Sequence, residues 1–150
     1  MNVYDSERIA DVLTSDGYAL VDTPEEADLT VLNTCHIREK AAEKVYSELG
    51  RLRVMQDKLA QSGKAMKIAV AGCVAQAEGD EMLRRAKNVD VVVGPQAYQD
   101  LPDLLQKPKQ EAVAQSFSPE DKFAALKSAA LARPSPPAAF LTIQEGCDKF

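Results

Sequence analysis

The hydrophobic pattern of this chain contains two short apolar runs that each end at a cysteine. The first covers residues 29–34 and stops at Cys35, and the second covers residues 67–72 and stops at Cys73. Each run is bounded by polar residues and followed at once by helical periodicity, which is typical of a buried strand. Repeated strand–helix units indicate a parallel sheet, and ligands bind at the edge where its strands end. The pattern therefore predicts that the thiols of Cys35 and Cys73 face one crevice.

The rest of the periodicity predicts helices on both faces of this sheet. Apolar residues three and four positions apart indicate helices, and shorter apolar runs indicate strands. The predicted helices cover residues 3–14, 36–61, 76–87 and 98–105, and further strands are predicted at 18–21 and 89–93. The apolar face of the last helix is formed by Tyr98, Leu101, Leu104 and Leu105. Gly17 and Gly63 are the predicted helix ends. The fold class is therefore α/β, and because a helix comes first where a strand is usual, we expect a strand upstream of Met1 to be missing.

The sequence divides into three segments. Residues 1–106 carry the strand–helix pattern, and residues 107–138 are rich in Pro and Ala with little apolar periodicity. Such a composition is typical of a linker rather than of a packed core. A strand pattern resumes within residues 139–150, and we expect a further domain to begin there and to be cut off after Phe150.

Composition narrows the class of protein without identifying a function. The formal net charge of -5 and the pI of about 4.9 argue against nucleic-acid binding by this segment alone, because phosphate binding needs clustered Lys and Arg. No apolar run approaches the ~20 residues of a membrane helix. Asp5, Glu7 and Asp11 interrupt the first segment, where a secretory signal would need an apolar core. We therefore expect a cytoplasmic protein.

The three cysteines do not have the number or spacing of a disulfide framework. Cys35, Cys73 and Cys147 each end an apolar run, and a glycine directly precedes Cys73 and Cys147. A glycine there allows backbone to approach a bulky inorganic group. The thiols are either small buried hydrophobes or ligands, and soft thiolates select iron–sulfur clusters, zinc or copper(I). Zinc usually comes with paired Cys or His residues, whereas His36 is the only histidine. The spacing of the three cysteines does not by itself define a complete metal site.

Five stretches of the sequence resemble the radical SAM methylthiotransferases. They are Met1–Glu7, Asn33–Ala41, Ala71–Gln76, Val93–Pro95 and Thr142–Phe150. The resemblance implies that residues 1–106 are a flavodoxin-like N-terminal domain and that residues 139–150 open the radical SAM domain. The string from Cys35 to Ala41 favours the members that modify tRNA over those that modify a ribosomal protein. Implied partners are therefore tRNA and the radical SAM domain of the same chain.

The resemblance also implies a role for each cysteine. In this family three cysteines hold an auxiliary [4Fe-4S] cluster with one open iron, and Cys35 and Cys73 match two of them. The third belongs to a Gly-Cys-Gln run directly before Met-Asn. Cys147 matches the first cysteine of the C-x-x-x-C-x-x-C motif that binds a second [4Fe-4S] cluster, which cleaves S-adenosyl-L-methionine. Both cluster sites would then be incomplete in this sequence, which would be part of a larger enzyme.

Some interpretations stay open at this point. Asn33, Thr34 and Gln76 flank the predicted crevice, either as hydrogen-bond donors to cluster sulfur or as ordinary turn and cap residues. A flavodoxin-like module that binds a nucleotide or flavin is a second possibility, although no G-x-G-x-x-G or P-loop pattern follows any predicted strand. A third is a docking surface for the catalytic domain.

Overall fold

The structure is a computed structural model, and it describes residues 2–35 and 41–114. The elements in these ranges are, in chain order, α1 Asn2–Ser15, β1 Leu29–Thr34, α2 Ala41–Gln61, β2 Lys67–Gly72, α3 Cys73–Glu78, α4 Asp80–Arg85, β3 Val91–Val93, a 3-10 helix Tyr98–Asp100, α5 Leu101–Gln106, a second 3-10 helix Lys109–Glu111 and β4 Val113–Ala114. Within these ranges, none of the helices is long and apolar enough to span a membrane.

The four strands form one parallel sheet in the order β1-β2-β3-β4. Strand β2 is buried from Ile68 to Gly72, as expected when helices cover both faces of a parallel sheet. Successive side chains of a strand point to opposite faces. Ala69 and Ala71 accordingly enter one core, whereas Ile68 and Val70 enter the other. The predicted α/β class with a parallel sheet is confirmed, and the arrangement is consistent with a flavodoxin-like fold.

Each face of the sheet has its own apolar core. The first core contains Ile9 of α1 and Leu101 of α5, and the second contains Leu49 of α2, Val74 of α3 and Met82 of α4. All five side chains are at most 4 % exposed. Burial of an aliphatic side chain contributes about 1.5–3 kcal/mol. The helices are therefore held mainly by the sheet surface that they cover.

Helix α2 ends at the glycine that the sequence predicts. The N–H of Lys64 donates to the carbonyl oxygen of Leu59, and the N–H of Gly63 donates to that of Ala60, both at 3.0 Å. This pair of bonds is the Schellman motif, which needs a positive φ, and Gly63 has φ 78°. The end that was predicted for α1 at Gly17 is confirmed as well. Residues 36–40, where the α2 helix was predicted to begin, lie outside the described residues.

Two predicted elements are wrong. Residues 18–21 do not form a strand, and Leu20 and Val21 are 75 % and 48 % exposed. An extended segment becomes a strand only when a neighbour takes its backbone hydrogen bonds, and these residues pair with none of the described strands. The helix predicted over residues 76–87 begins earlier, at Cys73, and is divided into α3 and α4 by Gly79, whose backbone (φ 48°, ψ -127°) leaves the helical region.

The first residues of the predicted linker belong to the sheet. Val113 and Ala114 pair with Val92 and Val93, and Ala112 beside them is 1 % exposed. A strand of two residues is too short to give a periodic signal in the sequence. From residue 115 onward, the remainder of the predicted linker and the start of the predicted further domain lie outside the described residues.

Strands β1 and β2 come into close contact at Gly72. A Cβ at this position would lie 2.1 Å from the carbonyl oxygen of Thr34, a distance that no side chain tolerates. The backbone of Gly72 also has φ 97° and ψ -162°, a conformation that is essentially restricted to glycine. Two independent constraints therefore require glycine directly before Cys73.

A series of glycine substitutions should separate these two constraints. Gly50→Ala, in the middle of α2 with open space around it, should stabilise the protein by about 0.5–1 kcal/mol. Gly63→Ala has the same open space but a positive φ, and it should cost about 1–2 kcal/mol. Gly72→Ala adds the backbone contact and should cost about 1–3 kcal/mol more. Urea unfolding of the three variants measures the differences, and equal losses for Gly63→Ala and Gly72→Ala would contradict the close approach.

Candidate functional site

The two cysteines of the described chain stand side by side where β1 and β2 end. Thr34 is the register partner of Gly72, so Cys35 and Cys73 are the next residues of two adjacent parallel strands. Such strands are about 4.8 Å apart. Both cysteines are partly exposed, and neither is joined in a disulfide among the described residues. The structure therefore brings the two predicted residues together, at the edge where β1, β2 and β3 end, which we name the carboxyl edge.

The third strand also contributes to the carboxyl edge. Gly94 directly follows β3, and a Cβ there would lie 2.9 Å from Oε1 of Gln76. The side chain of Gln76, on α3, therefore lies against the backbone at the end of β3. Because α3 begins at Cys73 itself, one short helix connects the thiol with this contact.

Helix α1 is tied to the carboxyl edge by a side-chain hydrogen bond. Nδ2 of Asn33 donates to Oγ of Ser6 at 3.0 Å, which fixes the first turns of α1 next to the end of β1. Asp5 belongs to the same turn, and burial raises the pKa of its carboxyl group, while the nearby Arg8 opposes that rise. Asn33 thus has a positioning role between two elements.

The side chain of Thr34 forms a hydrogen bond within the sheet. Its hydroxyl donates to the carbonyl oxygen of Ala71 at 2.6 Å, and the residue is 8 % exposed. Of the two roles that the sequence leaves open for Thr34, this bond supports the structural one. The hydroxyl bond and the backbone ladder together hold β1 on β2 immediately before the two cysteines.

Tyr98 is a member of this neighbourhood that sequence reasoning assigned to the apolar face of a helix. The residue is fully buried, and its hydroxyl has no hydrogen-bond partner among the described residues. Burial raises the pKa of Tyr98 most, the neighbouring Asp5 and Cys73 raise it further, and Arg8 opposes the rise. These three groups are therefore close enough to act on the hydroxyl. The one signal in the sequence is a tyrosine in an otherwise aliphatic stripe.

The side chains at the carboxyl edge supply some, but not all, of the ligands that a soft metal group needs. Thiolates are the ligands that iron–sulfur clusters use, up to four for each cluster. The carboxyl edge supplies Cys35 and Cys73, and the part of the chain that the structure describes contains no group of three or more His, Cys, Asp or Glu residues arranged for a metal ion. Further ligands would have to come from outside residues 2–35 and 41–114. Cys147 and His36 both lie there.

A cavity elsewhere on the protein does not include the cysteines. It has a volume of about 370 Å³ and is lined by Asp80, Leu83, Arg84, Lys87 and Lys109. These residues belong to α4, the segment before β3 and the second 3-10 helix. The chemistry of the carboxyl edge is therefore separate from this cavity.

A comparison with protein families matches most of the described chain to a known family. Residues 1–94 match the family described as Uncharacterized protein family UPF0004. The match covers α1 to β3 and includes Gly94 at the end of β3. All the described residues of the carboxyl edge except Tyr98 lie inside it.

Thr34→Val should distinguish a structural hydroxyl from one that serves a ligand. The variant loses the buried bond to Ala71, and we expect the free energy of unfolding to fall by about 1 kcal/mol. Thr30→Val on the same strand is the matched control, because the Thr30 hydroxyl donates to the weakly accepting Sδ of Met66 at 3.3 Å. It should change stability by less. Unchanged stability of Thr34→Val would contradict the structural role.

Proposed function

The chain belongs to the UPF0004 family, the N-terminal domain of the radical SAM methylthiotransferases, and on that premise we propose that its carboxyl edge holds the auxiliary [4Fe-4S] cluster of such an enzyme. Cys35 and Cys73 would be two of its ligands. The observation that carries the proposal is the register of β1 and β2, which sets two partly exposed thiols on adjacent strand ends. Three thiolates, with the third from outside the described residues, would leave one iron open.

When bound, this cluster would supply the sulfur atom of the methylthio group. The residues around it would provide its geometry. Gly72 lets β2 approach β1 closely, and the Thr34 hydroxyl keeps the two strand ends in register. The bond from Asn33 to Ser6 holds α1 beside them. The two thiolates would thus be held in place by these contacts, and a group that must react with a substrate needs such fixed ligands.

We further propose that the whole enzyme modifies tRNA. The string from Cys35 to Ala41 supports this choice, because it resembles the tRNA-modifying members of the family. The proposed reaction adds a methylthio group to C2 of N6-isopentenyladenosine at tRNA position 37, with S-adenosyl-L-methionine as cosubstrate. A second [4Fe-4S] cluster, with Cys147 as one ligand, would serve the radical SAM domain of the same chain. The acidic charge of this segment suggests that other parts of the enzyme provide most contacts to tRNA.

The iron content of cysteine variants tests the cluster. In the full-length protein reconstituted anaerobically, Cys35→Ala and Cys73→Ala should each lose about four irons, while circular dichroism shows an unchanged fold. Cys147→Ala is the matched control and should lose the other set of about four irons. Full iron content in both Cys35→Ala and Cys73→Ala would contradict the proposal. A yellow protein with flavin absorption bands in place of iron would support the flavin-binding alternative.

The nature of the modified nucleoside tests the substrate. Full-length enzyme with S-adenosyl-L-methionine and a reductant should convert N6-isopentenyladenosine in tRNA to its 2-methylthio form, detected by mass spectrometry of the digested RNA. Cys73→Ala should give none of this product, because the sulfur-supplying site is lost. A tRNA with unmodified adenosine at position 37 is the control substrate. Methylthiolation of a ribosomal protein, with no change in tRNA, would contradict the proposed substrate.

A further inference from the structure

The hydroxyl of Tyr98 is a buried hydrogen-bond donor without a protein partner among the described residues. Its ring packs in the core formed by α1, α5 and the sheet, where burial of the apolar ring is favourable. Burial of the polar hydroxyl is not favourable in this way. Buried tyrosine hydroxyls usually find a partner, so an unpartnered one in a native structure calls for an explanation.

The position of Tyr98 connects it with the carboxyl edge. The residue opens the 3-10 helix that follows β3, only four residues after Gly94. Helix α1 packs against this 3-10 helix. Asp5, Arg8 and Cys73 are near enough to influence the pKa of the hydroxyl. Tyr98 therefore reaches the same neighbourhood from the third strand that Cys35 and Cys73 reach from the first two.

The surroundings keep the hydroxyl in its protonated form. Burial raises the pKa of Tyr98 above its ordinary value, and the neighbouring Asp5 and Cys73 raise it further. A neutral phenol can donate one hydrogen bond. The available donor thus follows β3 at the edge where Cys73, in the proposed function, would be a negatively charged metal ligand.

We propose that Tyr98 is a positioning residue whose hydroxyl donates a hydrogen bond to a sulfur atom of the group that Cys35 and Cys73 hold. The inference rests on the proposed function and adds a residue outside the family match, which ends at residue 94. The one polar atom of the Tyr98 side chain would then have a hydrogen-bond partner only when the group is bound. Hydrogen bonds to cluster sulfurs are among the features that set reduction potential. A donor stabilises the more negative, reduced state, so this bond raises the potential.

Tyr98→Phe removes the donor and keeps the ring. In the reconstituted full-length variant we expect full iron content and a midpoint potential of the auxiliary cluster that is more negative than in the parent protein. A redox titration followed by electron paramagnetic resonance measures this potential. Loss of one such bond should change the equilibrium constant for reduction about tenfold, which corresponds to a shift of about 59 mV for one electron. The melting temperature of the iron-free variant should be equal to or higher than that of the iron-free parent protein, because the deleted hydroxyl had no protein partner.

Tyr46→Phe is the matched control. The Tyr46 hydroxyl donates to Glu78 at 2.6 Å, and the guanidinium of Arg85 lies 4.1 Å from the centre of the ring. This hydroxyl is already engaged, and burial and the bond to Glu78 raise the pKa of Tyr46 to about 12. Its removal should therefore lower the melting temperature and leave the potential unchanged, the reverse of the result for Tyr98→Phe.

The outcomes separate this inference from the proposed function. If Cys35→Ala and Cys73→Ala lose iron but Tyr98→Phe has the same reduction potential as the parent protein, only the role of Tyr98 is overturned. A lower melting temperature of iron-free Tyr98→Phe also overturns it, since the hydroxyl would then have a protein partner. Full-length parent protein that binds no iron at the carboxyl edge overturns the proposed function together with the inference.

Discussion

The pairing of β1 with β2 is the constraint on which the rest of this structure depends. Strand β2 is buried on both faces, and its side chains alternate between the two cores. The same ladder, ending at Thr34 and Gly72, decides where the chain leaves the sheet. A shift of one residue would turn the apolar side chains of β2 to the wrong faces and would separate the two cysteines. Packing and site geometry are thus specified by one register.

Much of this arrangement could be predicted because it depends on periodicity. The strands at β1 and β2, the parallel sheet and the end of α2 at Gly63 all come from local patterns with a physical cause. The neighbouring positions of Cys35 and Cys73 could be predicted for the same reason, since parallel strands end along one edge.

The errors concern features that local patterns do not determine. Residues 18–21 have the composition of a strand, but a strand also needs a neighbour to bond with, and the described sheet offers them none. Strand β4 is formed by two residues inside a segment without periodicity. Tyr98 was assigned to a core face correctly, yet only tertiary structure reveals that it is buried beside α1 with no hydrogen-bond partner for its hydroxyl among the described residues. In each case the missing information is the identity of a partner distant in sequence.

The two outer strands of the described sheet are unequal. Strand β4 has two residues, whereas β1 has six and is paired only with β2 among the described residues. An outer strand exposes backbone N–H and C=O groups on its far side in proportion to its length, and such groups can bond with an added strand. A further strand, whether from the same protein or from another molecule, would therefore gain most of its backbone bonds alongside β1. Growth of this sheet is favoured in one direction, beside the strand that leads to Cys35.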